Sequence, residues 1–162
     1  MTSRRVIGVG LMALLAVLGF DLFLHGGLLA RLYVSETPFL LPAAEAFRRI
    51  PLGYLSFAIL IVLLEWLVIR LRIVGAAGGF AFGVKLGGLI WGALALGLVS
   101  ISSARPLLLL WWAIGQSVEL GIAGAVVASG LHTDRMRRLV VNVLIIFVVC
   151  VAAGIVLQNL LV

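Results

Sequence analysis

Long runs of apolar residues, separated by short clusters of polar and basic residues, divide the chain into five segments. Each run reaches about 20 residues, the length at which an α-helix crosses the hydrocarbon core of a bilayer. The pattern predicts an all-α fold: a polytopic membrane helical bundle of four to five transmembrane helices, with five preferred, in one domain covering residues 1–162. The predicted spans cover residues 6–33, 51–72, 78–104, 106–132 and 139–161.

The first apolar run follows Arg4 and Arg5, and so resembles the charged and apolar regions of a signal peptide. No small-residue cleavage pattern of the Ala-x-Ala kind follows the run. We therefore interpret it as a retained first span with a cytoplasmic N-terminus.

The longest predicted connection is an outer loop at residues 34–50, which contains Pro38 and Pro42. Pro42 stands where a proline suits the first position of a helix, just before good helix formers. A short helix lying on the membrane surface and a solvated loop are both compatible with this segment.

Glycines recur every four residues at the start of the third span, at Gly75, Gly79, Gly83 and Gly87. Residues four apart lie above one another on a helix, and rows of small residues let membrane helices approach closely. We predict that this stripe makes the third span the centre of the bundle, although glycine is also simply common in membrane helices. The expected partner is a second row on the fourth span: Ser117, Gly121, Ala125 and Ser129.

Composition excludes a soluble domain, because 64% of the residues are hydrophobic, 11% are charged and the mean hydropathy is +1.31. The net charge of +6 does not indicate nucleic acid, since the basic residues sit mainly at the ends of apolar runs. The expected partners are membrane lipids and, in addition, other membrane-protein subunits or bound pigments. The single cysteine, Cys150, can make no internal disulfide, and its place within an apolar run indicates a role in packing.

The distribution of basic residues predicts the orientation. Eight of the twelve fall on one side of the five spans, which places the N-terminus in the cytoplasm and the C-terminus outside a bacterial inner membrane. The eight are Arg4, Arg5, Arg70, Arg72, Lys85, Arg135, Arg137 and Arg138, and the other four are Arg31, Arg48, Arg49 and Arg105.

Four ionisable residues fall inside the spans: Asp21, His25, Glu65 and Glu119. A charge near the bilayer centre costs about 3 kcal/mol on insertion scales, so each of these residues is expected to have a structural or functional role that offsets this cost. Structural explanations exist for three. Asp21 and His25 are four residues apart and can pair with each other or cap a break at Gly26–Gly27, while Glu65 can pair with Arg70 or Arg72.

Glu119 has no cation within a turn or two on its own helix, and Gln116 shares its face. We expect Asp21, His25, Gln116 and Glu119 to converge as a ligand-binding site inside the bundle. Two carboxylates and a histidine suit a hard or borderline metal ion, yet no customary metal-ligand spacing is present, so the metal stays open. No catalytic residue and no cofactor are indicated, because no nucleophile triad, phosphate loop or dinucleotide fingerprint occurs.

Two stretches, FDLFLHGGLLARLY at residues 20–33 and RPLLLLWWAIGQSVELGIAGAVVASG at residues 105–130, carry a resemblance. They resemble a group of small uncharacterised bacterial integral membrane proteins with an Asp-Phe-Leu-x-His-Gly-like first span and a later Gly-x-x-x-Glu. The chain departs from that pattern at Leu22, where phenylalanine is usual, and its fifth span extends beyond the shared region. The resemblance implies the architecture and the same polar residues, but no activity. The matching positions are Phe20, Asp21, Leu24, His25, Gly26, Leu32, Tyr33, Gly115, Glu119 and Gly124.

Two functions from different classes remain open. The preferred one is a small accessory or structural subunit of a larger membrane complex, since the loops are short and the helices carry small-residue stripes. The alternative is a self-contained binding or transport module that uses the Asp21/His25/Glu119 cluster for protons, a metal ion or a small amphiphile. A membrane enzyme is disfavoured for want of a nucleophile or metal motif.

Overall fold

The computed structural model describes residues 2–34 and 39–161, and helices without any strand make up this part of the chain. Five helical stretches are long and apolar enough to cross a membrane, which confirms the predicted all-α bundle with five candidate spans. Pro38 lies outside the described residues. The helices are α1 (Ser3–Asp21), a π-helical segment (Leu22–Leu28), α2 (Ala30–Val34), α3 (Ala43–Arg70), α4 (Ala76–Ile101), α5 (Pro106–Gly130) and α6 (Met136–Leu161).

The N-terminus, the α3–α4 turn and the α5–α6 turn lie at one end of the bundle, here named the arginine end; the opposite end is the loop end. Arg5 ties two of these parts together. Its Nε donates a hydrogen bond to the Gly130 carbonyl at 3.1 Å, and its Nη2 donates another to the Thr133 carbonyl. The C-terminal carbonyls of a helix have no partner within the helix, so Arg5 satisfies one of them and fixes α1 against the end of α5.

Lys85 does not lie at the arginine end, where the charge distribution placed it. It is the tenth residue of α4, about 14 Å from the start of the helix at 1.5 Å per residue, and its side chain is exposed. The other seven residues of that set flank helix ends or turns. The orientation across the membrane stays a prediction.

The central helix is α5, and the prediction that the third span holds this place is wrong. Within the most apolar part of each helix, 56% of the residues of α5 are buried but only 6% of those of α4. α5 packs against α1, α3, α4 and α6, whereas α4 makes its extensive contacts with α5. α4 is therefore a peripheral helix attached along one face.

The attachment uses the predicted stripe in part. Gly79, Gly83 and Gly87 are buried, and a Cβ atom at each would overlap the backbone of α5. Gly75 does not belong to the stripe, which corrects its predicted packing role. It precedes the helix with φ of 77°, a conformation that favours glycine, and a Cβ there would meet nothing among the described residues within 4 Å.

The row on α5 also differs from the predicted one. Gly87 lies against Ser117, Gly83 against Leu120 and Gly121, and Gly79 against Gly124 and Ala128. The spacing alternates between four and three residues, instead of the constant four that would have used Ala125 and Ser129. Residues at a constant spacing of four move gradually around the helix, because one turn contains about 3.6 residues. Spacings that alternate between four and three residues keep the contact on the face that meets α4.

Helix α3 begins at Ala43, directly after Pro42 as the helix-forming residues there indicated, and continues through Pro51 to Arg70. The second half of the predicted loop at 34–50 is therefore helical and continuous with the second span, neither a separate short helix nor an irregular loop. Residues 44–50 of this helix are exposed and carry an ion pair between Arg49 and Glu45 at 2.5 Å. Pro51 lacks an N–H and deprives the Phe47 carbonyl of its helical partner, which the exposed position tolerates.

Helix α3 packs closely against the bundle at the arginine end and loosely at the loop end. The buried apolar residues of α3 (Phe57, Ile61, Leu64 and Val68) all lie in its second half, against α1 and α5. The first half of α3 leaves large side chains such as Leu52 and Leu55 exposed. This uneven packing leaves a cleft beside α1 and α5 at the loop end.

Candidate functional site

The first span changes its helical form where its polar residues lie. From Leu22 to Leu28 the backbone is a π-helix, and the Leu29 N–H donates to the Leu24 carbonyl, five residues back, at 2.7 Å. Such turns are rare and occur frequently at functional sites. The helix thus continues through Gly26 and Gly27, and the interpretation that Asp21 and His25 cap a break there is not observed.

Small residues hold this segment against its neighbours. A Cβ at Gly27 would lie 2.9 Å from the Gly154 Cα of α6, and a Cβ at Gly115 of α5 would overlap the Leu24 side chain. Both positions therefore need glycine for the helices to approach this closely. As a result, the π-helical segment lies between α5 and α6, with His25 next to the middle of α5.

Asp21, His25 and Glu119 meet at one point. His25 Nε2 lies 3.7 Å from Asp21 Oδ1 and 3.7 Å from Glu119 Oε1, and one ligand-type atom from each residue falls within 4.8 Å of the others. Gln116 Nε2 lies 3.3 Å from the same His25 nitrogen and donates a hydrogen bond to it in the tautomer that leaves this nitrogen unprotonated. The structure thus brings together all four residues expected to converge.

Glu119 is the most enclosed member of this cluster. Its relative exposure is 0%, and neither of its carboxyl oxygens has a hydrogen-bond partner within residues 2–34 and 39–161. The same holds for Oε1 of Gln116, which is 3% exposed. Buried polar atoms are normally satisfied, so these groups point to something the chain itself does not supply.

The cluster lies at the inner end of the cleft, whose volume is about 760 Å³. Asp21, His25 and Gln116 line it, together with mostly apolar residues of α3, α4 and α5. Aromatic side chains supply much of the wall. These are Phe39, Phe47, Tyr54, Phe57, Trp91 and Trp112.

Glu65, the last of the four ionisable residues predicted inside the spans, lies apart from this cluster, and Lys85 of α4 is a fifth that the prediction assigned to the arginine end. It is buried against α1, so that a Cβ at Gly10 would lie 3.0 Å from its Oε2. No ion pair joins it to Arg70 or Arg72 in the part of the chain that the structure describes, so that predicted pairing is not observed. Gly10 and Asp21 are separated by about 16 Å along α1, which makes Glu65 a separate feature.

The aromatic wall of the cleft escaped the sequence analysis. The Trp91 and Trp112 ring centroids lie 5.8 Å apart, although the residues belong to different helices, and a buried Trp91 Nε1 has no partner among the described residues. Only the position of Trp91, one turn beyond Gly87 on the glycine stripe, signalled that it would approach α5.

The fold and the site together define a bundle with five candidate membrane spans and a polar cluster beneath an apolar cleft. Comparison with protein-family models, curated proteins and solved structures gives no match.

Proposed function

We propose that this protein is a self-contained membrane binding module whose cleft holds a small neutral amphiphile, with the polar head on the Asp21/His25/Gln116 group. The observation that carries the proposal is the cleft itself, about 760 Å³ with polar residues at one end and apolar walls elsewhere. Ligand sites in proteins typically have volumes of about 300 to 1,000 Å³ with a few convergent polar groups.

The exposure of the lining residues distinguishes an open outer end of the cleft from a buried inner end. Phe47 and Leu41 are 75% and 43% exposed, whereas Leu108 and Gln116 are 5% and 3% exposed. An apolar chain is therefore expected along the outer walls, and its head group at the inner end. This arrangement suits a molecule that enters from the surrounding lipid.

The inner end favours a neutral head group such as a hydroxyl. Asp21 offers carboxyl oxygens, Gln116 offers an amide, and His25 offers a ring nitrogen, so donor and acceptor are both available to a hydroxyl. Glu119 lies directly behind His25. Two carboxyls at this point disfavour an anionic head such as that of a fatty acid.

A bromine-labelled long-chain alcohol tests this proposal, because bromine quenches tryptophan fluorescence at contact and Trp91 and Trp112 line the cleft. We expect saturable quenching by the alcohol and weaker quenching by the carboxylic acid of the same chain length. A Gly26→Leu substitution, which adds a side chain to the cleft where a Cβ meets no described atom within 4 Å, is expected to remove the saturable part.

The matched control is Gly88→Leu, at another helical glycine with open space beside it but outside the cleft. It is expected to leave quenching unchanged. Equal, non-saturable quenching in the parent and in both variants would mean that the alcohol only partitions into detergent, and the proposal would be withdrawn.

A second candidate function, an accessory subunit of a larger membrane complex, is favoured by the outer face of α4. Gly78, Lys85 and Gly88 are exposed there, and Gly92 shares the face; none of the three glycines would bring a Cβ near α5. Small residues around a charged side chain suit contact with another membrane helix. Blue-native electrophoresis of mildly solubilised membranes tests this: Gly92→Leu should release the chain from a larger species, and Gly97→Leu should not.

We further propose a bacterial inner-membrane location with the N-terminus in the cytoplasm, supported by the arginine-rich end of the bundle. Asp134 is exposed in the α5–α6 turn and is suitable for cysteine labelling in a Cys150→Ser background. An Asp134→Cys protein should react with an impermeant thiol reagent only after the membrane is opened. Labelling of intact cells would reverse the orientation.

A further inference from the structure

We propose that Asp21, His25 and Glu119 form a binding site for a divalent first-row transition metal ion, of the Zn²⁺ type. The metal site shares Asp21 and His25 with the proposed amphiphile site but does not depend on it, and the two are tested separately because the fluorescence quenching experiment uses metal-free protein. The metal site rests on three independent observations: the mutual distances, the unsatisfied carboxyl of Glu119, and the charge balance of the site.

The distances suit a metal ion that the three residues share. In a tetrahedral zinc site with bonds of about 2.1 Å, neighbouring ligand atoms lie about 3.4 Å apart. The separations of 3.7 Å from His25 Nε2 to Asp21 Oδ1 and to Glu119 Oε1 are slightly longer than this, and one ligand atom from each residue falls within 4.8 Å of the others, so a bound ion would draw the three groups closer together. The two separations are longer than hydrogen bonds, although they count as ion pairs when His25 is protonated. The Gln116 amide, 3.3 Å from the same His25 nitrogen, gives up its hydrogen bond to that nitrogen when a metal ion binds there.

Glu119 supplies the second observation. Its side chain is fully buried, both oxygens lack a hydrogen-bond partner in the described ranges, and one of them faces the same nitrogen that Asp21 faces. A structural carboxyl at this depth would be expected to accept hydrogen bonds from its surroundings. A metal ion between the three residues satisfies it.

The charges of the cluster match a divalent cation. Asp21 and Glu119 contribute two carboxyls, and neither forms an ion pair with any lysine or arginine of the described chain. Net charge is costly in hydrocarbon, so an ion with two positive charges makes the loaded site neutral. Arg49, a cation that lines the cleft, is paired with Glu45 instead.

The donor types select among divalent ions. Imidazole nitrogen favours zinc, iron, nickel or copper over magnesium and calcium, while the two carboxylates and the lack of a thiolate disfavour soft Cu(I). Three protein ligands leave one coordination position open, as in zinc sites that exchange a ligand. Asp21 and His25 line the cleft and Glu119 does not, so the open position faces the cleft.

Zinc binding to metal-stripped protein, purified in detergent with a tag free of histidine, tests the proposal by competition with a fluorescent zinc indicator. We expect one Zn²⁺ per chain, and a loss of affinity of about tenfold or more in Glu119→Gln and in Asp21→Asn. The matched control is Glu65→Gln, which alters another buried intramembrane carboxyl remote from the cluster and should stay within about twofold of the parent. When Co²⁺ replaces zinc, the parent protein should show the visible absorption bands of a four-coordinate ion. These bands should be absent in Glu119→Gln and in Asp21→Asn.

Two results would overturn the proposal. One is a parent protein that binds no zinc in stoichiometric amount. The other is an affinity that Glu119→Gln and Asp21→Asn both leave unchanged, which would assign the zinc to surface groups such as the exposed His132. If Glu119→Gln does not fold, the zinc affinity of Asp21→Asn still decides, because the Asp21 side chain is 19% exposed and an asparagine amide is close in shape to the carboxyl.

Discussion

Helices α4 and α5 follow each other in the chain, are 26 and 25 residues long, and are both rich in glycine, yet one is peripheral and the other central. In α4 the partnered glycines occupy one face. In α5 they point in several directions: Gly115 meets Leu24, Gly121 meets Phe80 and Val84, and Gly130 meets Val9 and Leu139. A glycine row shows that a helix packs closely, whereas the spread of small residues around the helix shows how many neighbours it has.

The largest effect is expected at the face that the two helices share. In Gly83→Ala the new Cβ overlaps the Leu120 carbonyl, which belongs to the backbone and cannot rotate away. We expect the free energy of unfolding to fall by about 3 kcal/mol, the upper part of the range for overpacking. Denaturant titration in detergent measures it.

Gly88→Ala is the control for Gly83→Ala, since its Cβ meets no described atom within 4 Å. Replacing a helical glycine by alanine there should leave stability unchanged or raise it by up to about 1 kcal/mol. Equal stability of the two variants would mean that α4 is not attached through its stripe.

A second comparison separates backbone contacts from side-chain contacts on α5. A Cβ at Gly124 overlaps the Gly79 carbonyl, whereas a Cβ at Gly121 meets the side chains of Val84 and Phe80, which can adjust. Gly124→Ala should therefore cost about 2 kcal/mol or more and Gly121→Ala about 1 kcal/mol, in the same titration. The reverse order would show that the two helices cross differently.

The charged residues of the two helices differ in the same way, since α5 buries Glu119 and α4 exposes Lys85. Glu119→Leu removes a carboxyl without hydrogen bonds, and His25 retains Asp21 as a neighbour. We expect the metal-free protein to gain about 1 kcal/mol, because an unsatisfied buried polar group costs about 1 to 3 kcal/mol. A loss of stability instead would mean that Glu119 serves chiefly to hold His25 in place.

The smallest effect is expected for Lys85→Leu. The side chain is exposed on α4 and has no ion-pair partner among the described residues, so the free energy of unfolding should change by less than about 0.5 kcal/mol. Membrane insertion of the isolated α4 sequence, measured separately, should improve, since a lysine near the helix centre costs about 3 kcal/mol on insertion scales. A marked destabilisation of the purified protein would place Lys85 in a contact within the chain.

Hydrophobic runs and their basic flanks were enough to predict five helices, because each run independently reaches the length of a bilayer crossing. The continuation of α3 from Ala43 through Pro51 was not predictable in the same way, since a proline ordinarily marks a boundary and only the open surroundings tolerate it. The central place of α5 also escaped, because spacing along one helix does not report which other helices approach it.

The polar site was predictable to a similar extent. The cost of burying ionisable groups singled out Asp21, His25 and Glu119, and helical spacing added Gln116. The distances between them depend on the π-helical form of Leu22–Leu28 and on the close approach of Leu24 to Gly115. Neither feature can be predicted from a sequence pattern with a period of about 3.6 residues. The cleft depends on how α3 packs along its length, which is a property of the assembled bundle.

The π-helical segment has a consequence for how this chain changes through insertions and deletions. A π-turn accommodates one residue more than the α-helix around it, so the part of the first span beyond Leu28 is rotated relative to the part before Asp21. Deleting a single residue between Leu22 and Leu28 would restore a plain α-helix that still crosses the bilayer, but would turn His25 or Gly27 away from its partner. The two halves of the first span would then keep their own contacts, and a one-codon deletion would be enough to remove the polar site that lies between them.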